Sequence, residues 1–377
     1  MAQTGGQALS GVKVLDLTRF PPGQFCTVLL ADLGADVVRL DAPGSNPMSV
    51  GVSTGIGRGK RSFGIDLRHP RAVEVLRRLA RWADVVIDNN RPGDLDDRGF
   101  GPKAAAQELP SLIWCSITGF GQDGPYARFA GHDITYTGYS GLLSAINPDL
   151  PWHPQLVLSL PAAAMMAATG IASALFDRER TGKGAHLDIS MTESASWLLS
   201  GAEGHLEDAG YGIPVTASRH LYQCGDGRWV SVAADEPRTW AALCKGLGLD
   251  DMADARPTDQ EAAIARIGAV LKTRPAAEWI AELGPTGSTI SAVHQGSTLV
   301  DDPHVQARGS VVRVDGKPVP ANPVRIQGPD GRRSSTVTTP PPVVGAHTDE
   351  VLAEAGCSPE EIADLRASGV LGPPADS

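Results

Sequence analysis

Residues 12–44 read VKVLDLTRFPPGQFCTVLLADLGADVVRLDAPG, and the way this stretch is punctuated decides the fold class. Val12–Leu17 is apolar and β-branched enough for a buried strand, Pro21-Pro22-Gly23 breaks it, and apolar residues at helical spacing then run to Gly34. A second apolar run, Asp36–Leu40, follows at once. Strand, helix and strand in this order form a βαβ unit, which makes the two strands parallel.

The same alternation continues outward. RSFGIDL (61–67) gives a strand, and a helix beginning near His69-Pro70 runs through AVEVLRRLARW (72–82). DVVIDNN (84–90) is the next strand and, after another helix, SLIWCSITGFG (111–121) the one after. This pattern predicts an α/β fold with a doubly wound, Rossmann-like parallel sheet, whose ligands sit outside the carboxyl ends of the strands. No G-x-G-x-x-G follows the first strand, which argues against an ordinary dinucleotide site. Pro161–Arg178 is expected as a helix of small residues that packs closely on backbone or on a second subunit, closed by ERTGKG (179–184). Beyond Ala217 the texture changes to a Gly-Asp-Gly hairpin in HLYQCGDGRWVSVAA (220–234), amphipathic helices and a second hairpin, VVRVDGKPVPANPVRI (311–326). The expected organisation is a large domain over 1–200, a linker over 201–217, a smaller α+β domain over 218–325, and a return over 326–377. That return crosses TTPPPVVGAHTDE (338–350) and ends in a helix opened by a capping box of Ser358 and Glu361, with Pro359 at its first position.

Composition narrows the function classes. The 377 residues carry 33 Lys+Arg against 43 Asp+Glu, a net charge of −10, with no dense basic stripe for nucleic acid. Five scattered cysteines, with no C-x-x-C pair and no accompanying histidine spacing, argue for reduced thiols rather than disulfides or a zinc site, so no metal is expected. The start, MAQTGGQALSG, has neither a basic nor an apolar leader region, and no segment reads as a membrane span. A soluble cytoplasmic protein without membrane partners is expected.

Candidate chemistry then lies in the loops. Arg39 closes DVVRLD (36–41), Arg58, Lys60 and Arg61 crowd GRGKR (57–61), and Arg91 lies in DNNRPG (88–93). Guanidinium forks at strand ends suit phosphates; any one of them alone reads better as a solvated surface residue, and it is the set at successive strand ends that carries the signal. FAGHDITYTGYSG (129–141) sets His132 beside Asp133 among small and aromatic residues. A histidine there can serve as a general base or as a packed, hydrogen-bonded residue. Glu236, just before Pro237, has the position of a helix-start carboxylate.

Together, LSGVKVLDLTRFPPG (9–23), GRGKRSFGIDL (57–67), DNNRPG (88–93), GFGQDGPY (119–126), AGHDITYTGYSGLLS (130–144), ERTGKGAHLDISM (179–191), DGRWVSVAADEP (226–237) and GAHTDEVLAEAG (345–356) resemble the class III CoA-transferase superfamily. The resemblance spans nearly the whole chain in order and is strongest to the α-methylacyl-CoA racemase branch. It implies an interlocked homodimer whose large domain, with its parallel sheet, is built from both termini. It also implies an acyl-CoA substrate held between the large domain of one subunit and the small domain of the other. Arg39, Arg58, Lys60 and Arg91 would contact the nucleotide and pyrophosphate of coenzyme A, and Asp133 and Tyr136 its pantetheine and thioester. His132 would remove the α-proton, and Glu236 would orient it. A carrier-protein thioester offers the same phosphopantetheine arm and stays open as a partner.

One position departs from that pattern. The superfamily carries an aspartate shortly before the helix leading to TGKG, as nucleophile in the transferases and as second acid/base in the racemases; here the place is taken by Ser159, in LVLSLPAAAMMAATG (156–170). Serine cannot form an acyl anhydride and is no base near neutral pH without activation. Three readings remain open for Ser159: a helix cap, a nucleophile activated by His132, or the mark of a non-catalytic CoA-binding subunit. His153 is a conceivable substitute base.

Overall fold

The computed structural model describes residues 7–45, 54–147, 149, 151–201, 215–329 and 334–372. Two compact units comprise Met1–Tyr211 with Gly309–Ser377, and Gly212–Arg308. In the first, β1 (Lys13–Asp16), α1 (Pro21–Asp32), β2 (Asp36–Asp41), α2 (Thr54–Gly57), β3 (Arg61–Gly64), α3 (Ala72–Trp82), β4 (Val85–Asp88), α4 (Asp94–Asp97), α5 (Pro102–Glu108) and β5 (Ile113–Thr118) follow one another. Then come α6 (Asp133–Tyr139), α7 (Leu142–Ile146), α8 (Ser159–Thr181), β6 (His186–Ser190) and α9 (Met191–Trp197). The second unit holds β7 (Arg219–Gln223), β8 (Trp229–Ala233), α10 (Pro237–Gly246), α11 (Gln260–Leu271), α12 (Ala276–Leu283), β9 (Ile290–Val293) and α13 (Pro303–Arg308). The chain returns to the first unit through β10 (Val311–Val314), β11 (Lys317–Pro320), α14 (Thr348–Glu354) and α15 (Pro359–Ala367).

Six parallel strands form one sheet in the order β3-β2-β1-β4-β5-β6, so the order reverses between β1 and β4 and a crevice opens there at the carboxyl ends. Alternation along the strands sorts their side chains between two covering layers. Leu15, Val38, Phe63, Val86 and Trp114 meet Val75 and Leu79 of α3, Val351 and Leu352 of α14 and Leu365 of α15. Val14, Val37, Val85, Ile87, Ile113 and Ile117 meet Leu30 of α1 and Ala163, Ala167 and Ile171 of α8. Each fully buried Leu, Ile or Phe contributes roughly 1.5–3 kcal/mol, so the frame rests on many such contacts. The smaller unit packs Trp240, Leu243, Ile267, Leu271 and Trp279 beneath an antiparallel β7-β8-β9 sheet. Its first hairpin turns on Gly225-Asp226-Gly227 as the sequence predicts, with Gly227 at φ +78°.

Several sequence-based expectations change. All six sheet strands come from residues 13–190, and the C-terminal segment adds α14, α15 and one bridge from Leu371 to Ile65; the unit draws on both termini, but its sheet does not. The β10–β11 hairpin, expected in the smaller domain, groups with the larger unit, where the following Asn322 donates to the Leu29 carbonyl at 3.5 Å. Helix α8 starts at Ser159, two residues early, because a proline in the first turn forfeits only an N–H that has no intrahelical partner. By length and composition α8 is also apolar enough to cross a membrane, which the sequence reading did not register. One side of it is buried, with Ala162, Ala163, Ala164, Ala167, Ile171 and Leu175 in the packing, while Met165 and Phe176 are exposed. Of the expected 201–217 linker, residues 202–214 lie outside the described residues.

Candidate functional site

His132 and Asp133 are neighbours with opposite surroundings. His132 is exposed and occupies the N-cap of α6, its carbonyl accepting from Thr135 N–H at 2.8 Å. Asp133 turns inward to the start of α8. Its Oδ1 accepts from the backbone N–H groups of Leu158 at 2.9 Å, Ser159 at 2.8 Å and Leu160 at 3.3 Å, and from the Ser159 hydroxyl at 2.7 Å. Thr137 donates to Oδ2 at 3.3 Å. The positive end of a helix is thereby closed by a carboxylate from another element.

This corrects the capping reading of Ser159. The N-cap of α8 is Leu158, which makes no side-chain cap, and Ser159 is a fully buried first-turn residue whose hydroxyl serves the real cap, Asp133. A nucleophilic Ser159 activated by His132 gains no support, since the hydroxyl donates to Asp133. The carboxylate expected against pantetheine is engaged at a helix end. His153, the substitute base considered, has its Nδ1 accepting from Gln155 N–H at 2.9 Å.

An aromatic cluster surrounds the His132 segment. Phe120 meets Tyr126, Tyr136 and Tyr139 edge-on at centroid distances of 5.9, 5.4 and 5.5 Å, and Tyr126 meets Phe129 at 4.8 Å. Phe129 and Tyr139 are 59% and 61% exposed, so large apolar faces stand open to solvent beside the histidine. Tyr136 is the buried member: its hydroxyl donates to the Gly131 carbonyl at 2.6 Å, and burial raises its phenol above the ordinary value. A Cβ on Gly119 or Gly131 would lie 2.4 or 2.6 Å from that ring, so both positions require glycine.

Three of the four expected coenzyme A cations are buried and partnered. Arg39 grips Asp41 through Nε at 2.9 Å and Nη2 at 3.0 Å, while its buried Nη1 has no hydrogen-bond partner among the described residues. Arg58 donates to Asp32 at 2.5 Å and to the carbonyls of Val337 and Gly55. Lys60 donates to Gln24 Oε1 at 2.6 Å and lies 3.7 Å from Asp16; burial lowers its amine to about 8. Arg58, Lys60 and Arg61 also precede or begin β3, which places them on its amino side rather than at its carboxyl end. Arg61 instead joins Asp36 and Glu354. Arg91 is exposed.

The carboxyl-end crevice has other basic residues. A cavity of about 250 Å³ lies between the ends of β1, β2, β3 and β4, lined by Leu17, Arg19, Asp41, Asp66, Arg68, Asn90 and Arg98 among others. Arg19, Arg68 and Arg98 are exposed and were missed from sequence. Two of them follow a strand end by three or four residues, Arg19 after Asp16 and Arg68 after Gly64, a signal available once strand ends are fixed. Glu236 belongs to the smaller unit, as the N-cap of α10. Hydrogen bonds from its own backbone and from the Thr239 hydroxyl, at 3.0 Å, hold its carboxyl below the ordinary value.

A strand-end crevice with arginines suits a phosphate-bearing ligand, and an exposed histidine in an aromatic segment suits proton transfer. The model of CoA-transferase family III matches residues 9–348. The chain belongs to CoA-transferase family III. It is 35% identical over 97% of its length to Homo sapiens alpha-methylacyl-CoA racemase, 97% of which is covered. To Homo sapiens succinyl-CoA:glutarate CoA-transferase it is 27% identical, over 96% of this chain and 90% of that protein. Among solved structures, a CAIB/BAIF family protein from Brucella suis superposes with a TM-score of 0.80 at 28% identity, over 93% of this chain and all of that one. Family III is CoA-dependent and includes racemases and CoA-transferases, so this member's chemistry turns on its own residues.

Proposed function

We propose that this family III member removes the α-proton of a 2-substituted acyl-CoA thioester, with His132 as base. The carrying observation is that His132 is exposed at a helix start beside open aromatic faces, while the carboxylate next to it is engaged elsewhere. The C–H proton passes to the imidazole and the electron pair to the thioester oxygen as an enolate, which is protonated again at carbon. In the reading we favour, chains pair as an interlocked homodimer and Glu236 orients the histidine across that assembly. The nucleotide end of coenzyme A occupies the crevice of Arg19, Arg68 and Arg98, with exposed Arg91, next to crevice-lining Asn90, as a further donor.

With Ser159 buried against Asp133, no second acid/base stands at that position, and the enolate is protonated from the histidine's side or by solvent. Covalent CoA transfer is the second reading, favoured by transferase relatives of similar coverage. The absence of a carboxylate at 159 weighs against it.

The test is deuterium uptake from deuterated water into (S)- and (R)-2-methylacyl-CoA, followed by NMR. We expect uptake by the wild type, a loss of roughly 10²–10⁴-fold in His132→Ala at unchanged thermal midpoint, and inversion only in Ser159→Asp. Bound substrate with no uptake from either epimer would sink the proposal and move the weight to acyl transfer.

A further inference from the structure

We infer that Arg128 is a positioning residue that couples occupation of the strand-end crevice to the placement of His132. Arg128 is in the segment Gly124–Gly131 leading into His132, yet its guanidinium leaves that segment. It donates through Nη1 to the Pro92 carbonyl and through Nη2 to Asp94 Oδ1 at 2.9 Å. Pro92 lies in the loop after β4, which carries exposed Arg91 and crevice-lining Asn90, and Asp94 opens α4, which leads to crevice-lining Arg98. One fork therefore ties the loop that would feel a phosphate to the arm that holds the base.

The arm's other fixed points tie it to β6, α8, α9 and its own aromatic cluster rather than to the β4 side. Behind it, Thr192 donates from its N–H and hydroxyl to the Gly119 carbonyl, and ahead of it Asp133 is fastened to α8. Between these, Gln122 N–H donates to Asp188 Oδ2 at 3.0 Å, Tyr126 packs on Phe120, Tyr139 and Phe129, and the Gly131 carbonyl accepts from Tyr136 at 2.6 Å, yet Phe129 is 59% exposed and it is Arg128 that bonds this stretch to the β4 side. Arg128 is itself 59% exposed and its pair with Asp94 adds little stability, which separates a positioning role from a folding one. A guanidinium bonds carbonyl and carboxylate together in one plane, whereas a lysine amine is a point donor on a flexible stem. Arg128→Lys should therefore keep the charge and lose most of the coupling.

The inference rests on the reading that the crevice holds the nucleotide of coenzyme A. The probe is adenosine 3′,5′-diphosphate, which carries no pantetheine and so reaches the His132 arm only through the protein. Titration calorimetry measures its binding, and amide hydrogen exchange of residues 124–139 is compared with and without it, in the wild type, Arg128→Gln and Arg128→Lys. We expect binding within about twofold in all three, at least a fivefold slowing of exchange in the wild-type arm, and little or none in Arg128→Gln. The rate of α-proton exchange from acyl-CoA should fall about tenfold in Arg128→Gln through kcat, with KM and thermal midpoint nearly unchanged. Binding with equal protection in wild type and variant, or with none in the wild type, would overturn the coupling alone. No binding of the diphosphate would overturn the crevice reading and the coupling with it.

Discussion

Two regions of the larger unit treat charge in opposite ways. Around β1–β3, Asp16, Asp32 and Asp41 are buried with Lys60, Arg58 and Arg39, each ion facing an opposite charge, and the carboxylates also accept from hydroxyl, amide or backbone groups. Over 119–141 an exposed histidine and open rings stand on a segment held at a few points. Buried ions must be partnered to be tolerated at all, and a partnered ion is poorly placed for chemistry. The first region builds the frame. The second keeps its reactive group free.

Breaking a buried pair should cost most. Asp32 bonds Arg58 at 2.5 Å and accepts Val337 N–H at 2.8 Å, so it fastens the returning C-terminal segment to α1. Asp32→Asn leaves a buried guanidinium without its counter-charge and should lower the unfolding free energy of the larger unit by roughly 3–5 kcal/mol in urea titration. A loss under about 1 kcal/mol would show that this pair is dispensable and dissolve the contrast between the regions.

Lys60 gives a smaller effect with a definite sign. Burial lowers its amine from 10.5 to about 8 despite the nearby Asp16. Between those values the unfolded chain holds a proton that the folded chain has released, so stability rises with pH across that window. Relative to Lys60→Met, the wild type should gain roughly 1–3 kcal/mol from pH 8 to 10.5, read from denaturation midpoints. Parallel pH profiles would mean the amine keeps its proton in the fold.

The frame was legible in the sequence because periodicity and turn residues report it directly. The strand within Val12–Leu17 and the capping box at Ser358 stand where the residues say, and Pro21-Pro22-Gly23, expected as a turn before the helix, is the first turn of α1. Which cations are free was not legible. Arg39 and Arg91 look alike as letters, and only the pairing of β2 with β3, which sets Ser62 opposite Arg39 and against its partner Asp41, shows that one is enclosed. Nor could adjacent residues reveal that His132 and Asp133 part company, since the partner that claims Asp133 lies 26 positions on, at Ser159.

That partnership sets the smallest effect and the most informative one. Ser159→Ala removes one of four donors to Asp133 Oδ1 and leaves the three backbone N–H groups, so the cost should be about 1 kcal/mol, independent of pH near neutrality. Ser159→Asp is different in kind, because it sets a second carboxylate against that same oxygen, and two such groups in contact cannot both ionise easily. One of the pair should then titrate above its unfolded value, so the folded state binds the extra proton and stability falls as pH rises from about 4 to 7. Denaturation of both variants across that range checks the sign. A falling profile for Ser159→Asp alone would mean that the pair of carboxylates at 133 and 159 shares a proton in the fold, which is the state a proton-returning acid needs. Serine at this position would then remove both the repulsion and the acid in a single change, leaving the chemistry to the exposed histidine next door.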